Sequence, residues 1–126
     1  MIRLALAAAL LSVASDDAPA KSVPDAAGLY RINQIEMAGG LELSPDGRFR
    51  YGFDYGAVSE VSEGNWTFED GKVVLTTNPM PPPAECDRGY ATACFDRTPL
   101  THDGENWILY RWDARIVLKP VQPRPR

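Results

Sequence analysis

The feature that most constrains the fold of this chain is a run of alternating aromatic side chains. Phe49, Tyr51, Phe53 and Tyr55 occupy every second position, with Arg, Gly and Asp between them. A period of two places the four rings on one face of a β-strand, whereas a helix would spread them around its axis. The run therefore predicts a half-buried strand.

A turn signal directly before this run predicts a hairpin. Pro45-Asp46-Gly47 separates the aromatic strand from an alternating stretch that begins at Leu41. Proline sets φ for the first turn position, and glycine adopts the left-handed conformation that closes the turn. We expect two antiparallel strands here.

The same combination of alternation and turn residues predicts two further hairpins and a strand before them. The hairpin segments are 65–69 with 72–77, joined at Asp70-Gly71, and 105–112 with 115–119, joined at Asp113-Ala114. Upstream, 29–37 is expected to be one strand, with a β-bulge where the apolar phase slips between Ile32 and Ile35. Seven or eight short strands in sequence order predict an all-β, antiparallel meander barrel, with a β-sandwich as the alternative.

The N-terminus predicts export. Arg3 precedes an apolar run dominated by leucine and alanine, and small residues then form a cleavage site after position 15, or alternatively after position 20. The run is too short to span a bilayer as a helix. We therefore expect a periplasmic or secreted protein with no membrane span. Its predicted parts are a signal peptide (1–15), a flexible leader (16–27), one β domain (28–120) and a disordered tail (121–126).

The length and the net charge of the chain limit the classes of partner that it can be expected to bind. A chain of 126 residues suits a single domain, and its net charge of −4 gives no basic footprint for nucleic acid. The expected partner is an envelope protein or a small apolar ligand.

The two cysteines lie in the one segment that lacks strand signals. Cys86 and Cys94 are expected to form a disulfide, because an exported chain with an even number of cysteines favours pairing. The segment 78–99 also holds four prolines near its start, which exclude a central strand. It is either a stapled connection between parts of the barrel or a loop that carries function.

The aromatic residues are the main candidate site. They either fill the barrel as its core or line a small ligand cavity inside it. The set is Phe49, Tyr51, Phe53, Tyr55, Trp66, Phe68 and Trp107.

No residue pattern points to catalysis. His102 is the only histidine and lies beside a turn, and the acids Asp54, Glu60 and Glu63 are expected at a strand end and in a loop. Both cysteines are assigned to the disulfide, so neither serves as a nucleophile or metal ligand. We expect a protein that is not an enzyme and has no cofactor or bound metal.

Part of the chain resembles a known family. Gly28-Leu29-Tyr30, the hairpin 41–51, Tyr55, Gly64-Asn65-Trp66 and the strand 73–76 are similar to the N-terminal domain of the NlpE-type copper-homeostasis lipoproteins. This resemblance covers about residues 28–77 and implies a lipocalin-like fold. The lipid-attachment cysteine of that family is absent here, and residues 33–37 stand where the family has Cys-x-x-Cys. The copper role therefore has no residue support in this chain.

The sequence thus predicts a non-catalytic binding or accessory module of the periplasm or the secreted fraction. One alternative is an inhibitor of a secreted enzyme that presents loop 78–99. The other alternative is a carrier of a small ligand inside the barrel.

Overall fold

The computed structural model of the chain describes residues 23–122, in which eight antiparallel strands form a closed barrel. A four-residue helix, α1 (Val23–Ala26), comes before the first strand. The strands are β1 (Gly28–Gln34), β2 (Met37–Leu43), β3 (Arg48–Tyr55), β4 (Val58–Glu69), β5 (Lys72–Thr77), β6 (Thr98–Asp103), β7 (Asn106–Arg111) and β8 (Ala114–Pro120). The predicted all-β meander barrel is confirmed.

Each strand pairs with its neighbours in sequence, and the last strand pairs with the first. Tyr30 lies opposite Pro120 and Arg31 opposite Lys119, and the Val121 N–H donates to the carbonyl of Leu29. Closure removes the free edges that an open sheet of eight strands would expose. Val121, which was predicted to belong to the tail, therefore continues the pairing of β8.

The barrel interior is filled by apolar side chains from every strand. Alternation along β3 turns the first three rings of the aromatic run inward, and the opposite strands supply leucine, isoleucine and tryptophan. The largest fully buried side chains include Phe49, Phe53, Phe95, Ile32, Leu41, Leu43, Leu75, Leu100, Leu109, Ile116 and Leu118.

The β1–β2 connection differs from the prediction. The sequence predicted one bulged strand over 29–37, but the chain turns at Ile35-Glu36 and β2 starts at Met37. Glu36 adopts a positive φ of 62°, a conformation usually taken by glycine or asparagine. The slip in apolar phase therefore marks a hairpin turn and not a bulge.

The second correction concerns the leader. Residues 23–26, predicted to be flexible, form α1, and Ala26 is fully buried. The Tyr30 hydroxyl donates to the carbonyl of Ala26 over 2.6 Å, which ties this helix to β1. The predicted signal peptide and the positions after 122 lie outside the described residues.

Candidate binding groove

The longest strand, β4, explains why the proline-rich segment lies where it does. Residues 64–69 of β4 pair with β5, whereas residues 58–63 extend beyond the end of β5. The proline-rich segment supplies the missing partner. The N–H groups of Ser59 and Val61 donate to the carbonyls of Gly89 and Ala91, and the N–H of Ala93 donates to the carbonyl of Val61. The segment therefore completes the barrel wall.

Beyond this pairing, the segment inserts two side chains into the barrel. Ala93 and Phe95 are buried, and the Phe95 ring contacts Phe49 and Tyr51 at centroid distances of 6.0 and 5.0 Å. Thr77 holds this insertion in place, because its N–H donates to the Phe95 carbonyl and its hydroxyl oxygen accepts from the Phe95 N–H. The segment is both a connection and part of the core.

The predicted disulfide between Cys86 and Cys94 is present, with a Cα–Cα distance of 5.4 Å, within the usual range. It closes a short loop in which Asp87 accepts a hydrogen bond from the Cys94 N–H at 3.0 Å. The proline-rich segment has two stretches with different surroundings. Residues 89–95 lie against the barrel, and residues 79–85, which we call the proline arm, lie on the surface.

A network of ion pairs around Arg111 connects the disulfide loop to the barrel. The Glu60 side chain is only 1% exposed, and both of its oxygens accept hydrogen bonds from the Arg111 guanidinium at 2.7 Å. The Tyr51 hydroxyl donates to the same carboxylate at 2.9 Å, and Arg111 also pairs with Asp87. The guanidinium lies near the Phe95 ring, 5.3 Å from its centroid.

The environment of this network raises the pKa of two of its members, Tyr51 and Arg111. Burial raises the pKa of Tyr51, and the negative charge of Glu60 and the hydrogen bond to it raise that pKa further. Burial alone would lower the pKa of Arg111, but its hydrogen bonds to Glu60 and Asp87 outweigh burial and raise it. Tyr51 therefore stays neutral and Arg111 stays charged across the physiological range. A fully partnered group of this kind is suited to hold structure.

The aromatic candidates lie inside the barrel. Five of them are buried, and the other two, Tyr55 and Phe68, are partly buried against the same cluster. The Trp107 indole N–H donates to the Tyr30 hydroxyl, and that of Trp66 donates to the carbonyl of Ser44. The buried five are Phe49, Tyr51, Phe53, Trp66 and Trp107.

A groove of about 850 Å³ lies on the outer face of the barrel. Three-residue stretches of β2, β3 and β4 form its floor. Among these residues, Gly40 of β2 and Gly52 of β3 lie at outward-facing positions. These two glycines are directly opposite each other in the sheet, so the floor is bare backbone at this point. The proline arm forms one wall.

Three apolar side chains surround the glycine floor. Leu29 is 54% exposed, Val61 is 64% exposed, and Met80 of the proline arm is 44% exposed. Exposed large apolar side chains that cluster in one concave site mark a binding surface better than scattered ones do. A volume of this size lies within the range of small-molecule and peptide sites.

Charged groups line the same groove. Three carboxylates, from Glu42, Glu63 and Glu85, lie along it with a single guanidinium from Arg50. In register, Arg50 lies opposite Glu42 on one side and Glu63 on the other. Within residues 23–122, none of these four side chains forms an ion pair or a side-chain hydrogen bond. They are available to a ligand.

Sequence reasoning missed both the groove and the buried pair. Glu60 was expected in a loop, but it points into the barrel from β4, in phase with Trp66. That phase was the available signal, because 60, 62, 64 and 66 are all inward positions. Glu63, by contrast, lies outward on β4, and Asp54 lies outward on β3.

The remaining predicted candidates do not form a second site. His102 is exposed, with its ring edge-on to Trp107 at 6.0 Å, and Asp103 pairs with Arg115. Among residues 23–122, no group of three His, Cys, Asp or Glu side chains is placed to hold a metal ion. Within the same range, no helix has the length and hydropathy that crossing a bilayer requires.

Comparisons with known proteins find no matching family model, no matching curated protein and no matching solved structure. The predicted resemblance to the NlpE-type lipoproteins therefore stays a prediction.

Proposed function

We propose that this protein is a non-catalytic binding module that takes its ligand in the outer groove. The observation that carries the proposal is the groove itself, in which exposed Leu29, Val61 and Met80 surround a floor of bare backbone. Burying apolar surface of this kind contributes about 25 cal/mol per Å². A ligand that covers these three side chains gains affinity from that burial.

The packing of the interior supports an outer site in preference to a carrier cavity inside the barrel. Phe95 enters the barrel from the proline-rich segment and meets the rings of Phe49 and Tyr51. The Arg111 guanidinium, paired with the buried Glu60, lies 5.3 Å from the centroid of the Phe95 ring. Binding inside would require these contacts to separate, whereas binding outside requires no such change.

We place the protein in the periplasm or the secreted fraction. The disulfide supports this location, because such bonds persist in oxidising compartments. The apolar N-terminal segment with its small-residue cleavage sites supports it independently.

A groove-filling variant tests the proposed function. A Cβ at Gly52 meets no atom within 4 Å, so Gly52→Leu adds a side chain to the groove floor without an internal clash. The matched control is Thr101→Leu, which adds a similar apolar side chain at an exposed position of β6 outside the groove. A random heptapeptide display library is selected in parallel on the wild-type protein and both variants.

We expect peptides that bind the wild-type protein and Thr101→Leu equally and bind Gly52→Leu at least tenfold more weakly. Thermal unfolding of all three proteins checks that the variants are folded. A library that yields no peptide on the wild-type protein, or peptides that bind Gly52→Leu just as well, contradicts the proposal.

A second function, inhibition of a secreted enzyme, is favoured by one observation. Tyr90 is 75% exposed at a position whose neighbours Gly89 and Ala91 are both held by hydrogen bonds to β4. A projecting tyrosine on a rigid segment is a common interface anchor. A panel of extracellular proteases tests this function. Inhibition that Tyr90→Ala abolishes would support it, and no inhibition at micromolar concentration would eliminate it.

A further inference from the structure

We propose that the groove binds an extended, positively charged segment of a partner protein. This inference rests on the proposed function and names the chemistry of its ligand. Its first basis is charge, because three carboxylates face the groove and Arg50 offsets only one of them. Since these carboxylates have no partner within residues 23–122, a lysine or arginine side chain can pair with them without displacing an existing contact.

The first part of the proline arm carries few main-chain hydrogen-bond donors. Of residues 79–83, only Met80 carries a main-chain N–H, because the other four are prolines. Among residues 23–122, the carbonyls of Pro82 and Pro83 accept from the N–H groups of Glu85 and Cys86, whereas the carbonyls of residues 79–81 accept no main-chain hydrogen bond. An ammonium or guanidinium group, which only donates, fits such a wall. An anionic segment would meet carboxylates on the floor and carbonyls on the wall.

The shape of the groove favours a polypeptide over a compact molecule. From Leu29 on β1 to Val61 on β4, the groove spans three strand spacings, or about 14 Å. About four extended residues cover that distance. Glycines at the centre of the floor let the main chain of such a segment approach closely, since no side chain stands between the two backbones.

The amino-acid composition of the peptides selected from the library tests this inference separately from the proposed function. We expect peptides that Gly52→Leu blocks to be enriched in lysine or arginine next to apolar residues. Peptides that Gly52→Leu blocks but that are neutral or acidic would overturn the inference and leave the proposed function in place. A library that yields no such peptide contradicts both.

Charge variants then test the pairing on one defined probe. The probe is a labelled heptapeptide of alternating leucine and lysine, and its counterpart has glutamine in place of lysine. The double variant Glu42→Gln with Glu63→Gln should bind the lysine probe about three- to tenfold more weakly, as expected for two exposed ion pairs. Glu105→Gln, which removes an exposed carboxylate outside the groove, should bind it as the wild-type protein does.

The affinity for the lysine probe should also fall as salt is added, because exposed charges are screened. Equal affinity for the lysine and glutamine probes, or equal loss in the double variant and in Glu105→Gln, would overturn the inference. Spermine is the small-molecule arm of the experiment. If spermine binds with the same variant dependence and the peptide does not bind, the ligand is a small polyamine and the assignment to a polypeptide is wrong.

Discussion

Replacing Arg111 by methionine should remove a large part of the folding free energy of this domain. The substitution keeps an unbranched side chain in the site but leaves the buried Glu60 carboxylate with only the Tyr51 hydroxyl as a hydrogen-bond partner. Removing one partner of a buried ion pair costs about 3–5 kcal/mol. A domain of this size has about 5–15 kcal/mol in total.

Urea unfolding at 25 °C measures this effect. With a dependence on urea of about 1–3 kcal/mol per molar, a loss of this size should lower the midpoint of Arg111→Met by roughly 1 M or more. The matched control is Arg115→Met, because Arg115 pairs with Asp103 at the surface and both side chains are about half exposed. Its midpoint should stay close to that of the wild-type protein, since exposed ion pairs contribute little.

A double-mutant cycle completes the test. Glu60→Gln removes the charge but retains an amide that accepts from Tyr51, so Glu60→Gln with Arg111→Met leaves no buried charge uncompensated. The loss in the double variant should be smaller than the sum of the single losses by up to about 3 kcal/mol. If Arg111→Met unfolds at the same urea concentration as Arg115→Met, the carboxylate is hydrated and the argument from burial is wrong.

Three further outcomes are expected. The free energy of unfolding should decline above about pH 10, because the raised pKa of Tyr51 keeps a proton in the folded state that the unfolded chain releases. Thermal melts of Tyr51→Phe should show a smaller decline, and an identical decline would contradict this. Replacing Cys86 and Cys94 by serine should cost about 2.5 kcal/mol in urea unfolding and weaken peptide binding, whereas unchanged binding would mean that the proline arm holds its place unaided. Gly64→Ala should lower the free energy of unfolding by about 1–3 kcal/mol, because its Cβ would overlap a carbonyl oxygen of β5. Gly52→Ala should melt as the wild-type protein does. Equal melting temperatures for the two variants would refute the packing argument.

The hairpins that the sequence predicted correctly are those in which local chemistry decides the outcome. Around Pro45-Asp46-Gly47, the apolar alternation and the turn residues agree, and β2 and β3 pair in that register. The β1–β2 turn carries neither glycine nor proline at Ile35-Glu36, so nothing local distinguished it from a bulge. The first half of β4 was missed because its inward positions include Glu60 and Ser62, while apolar Val61 faces outward.

The groove and the buried ion pair could not be predicted from local sequence patterns, because their residues are far apart in the chain. The partner of Glu60 is Arg111, 51 residues further along the chain, and only closure of the barrel brings them together. The groove likewise combines Leu29, Gly52 and Met80 from three separate parts of the sequence. The sequence marked the segment 78–99 as unusual, but which barrel face it covers depends on where β5 ends against β4.

The position of the disulfide has a consequence for how this protein can change over evolutionary time. At the Cys94 end of the loop that it closes, Ala93 and Phe95 are buried in the barrel interior, so substitutions there carry a stability cost. At the Cys86 end, residues 79–85 are largely exposed, so few packing contacts restrict their side chains. Because Cys86 anchors the end of the proline arm, the arm can exchange its side chains while the barrel stays folded. Related chains could thus acquire different ligands by varying seven positions on an unchanged scaffold.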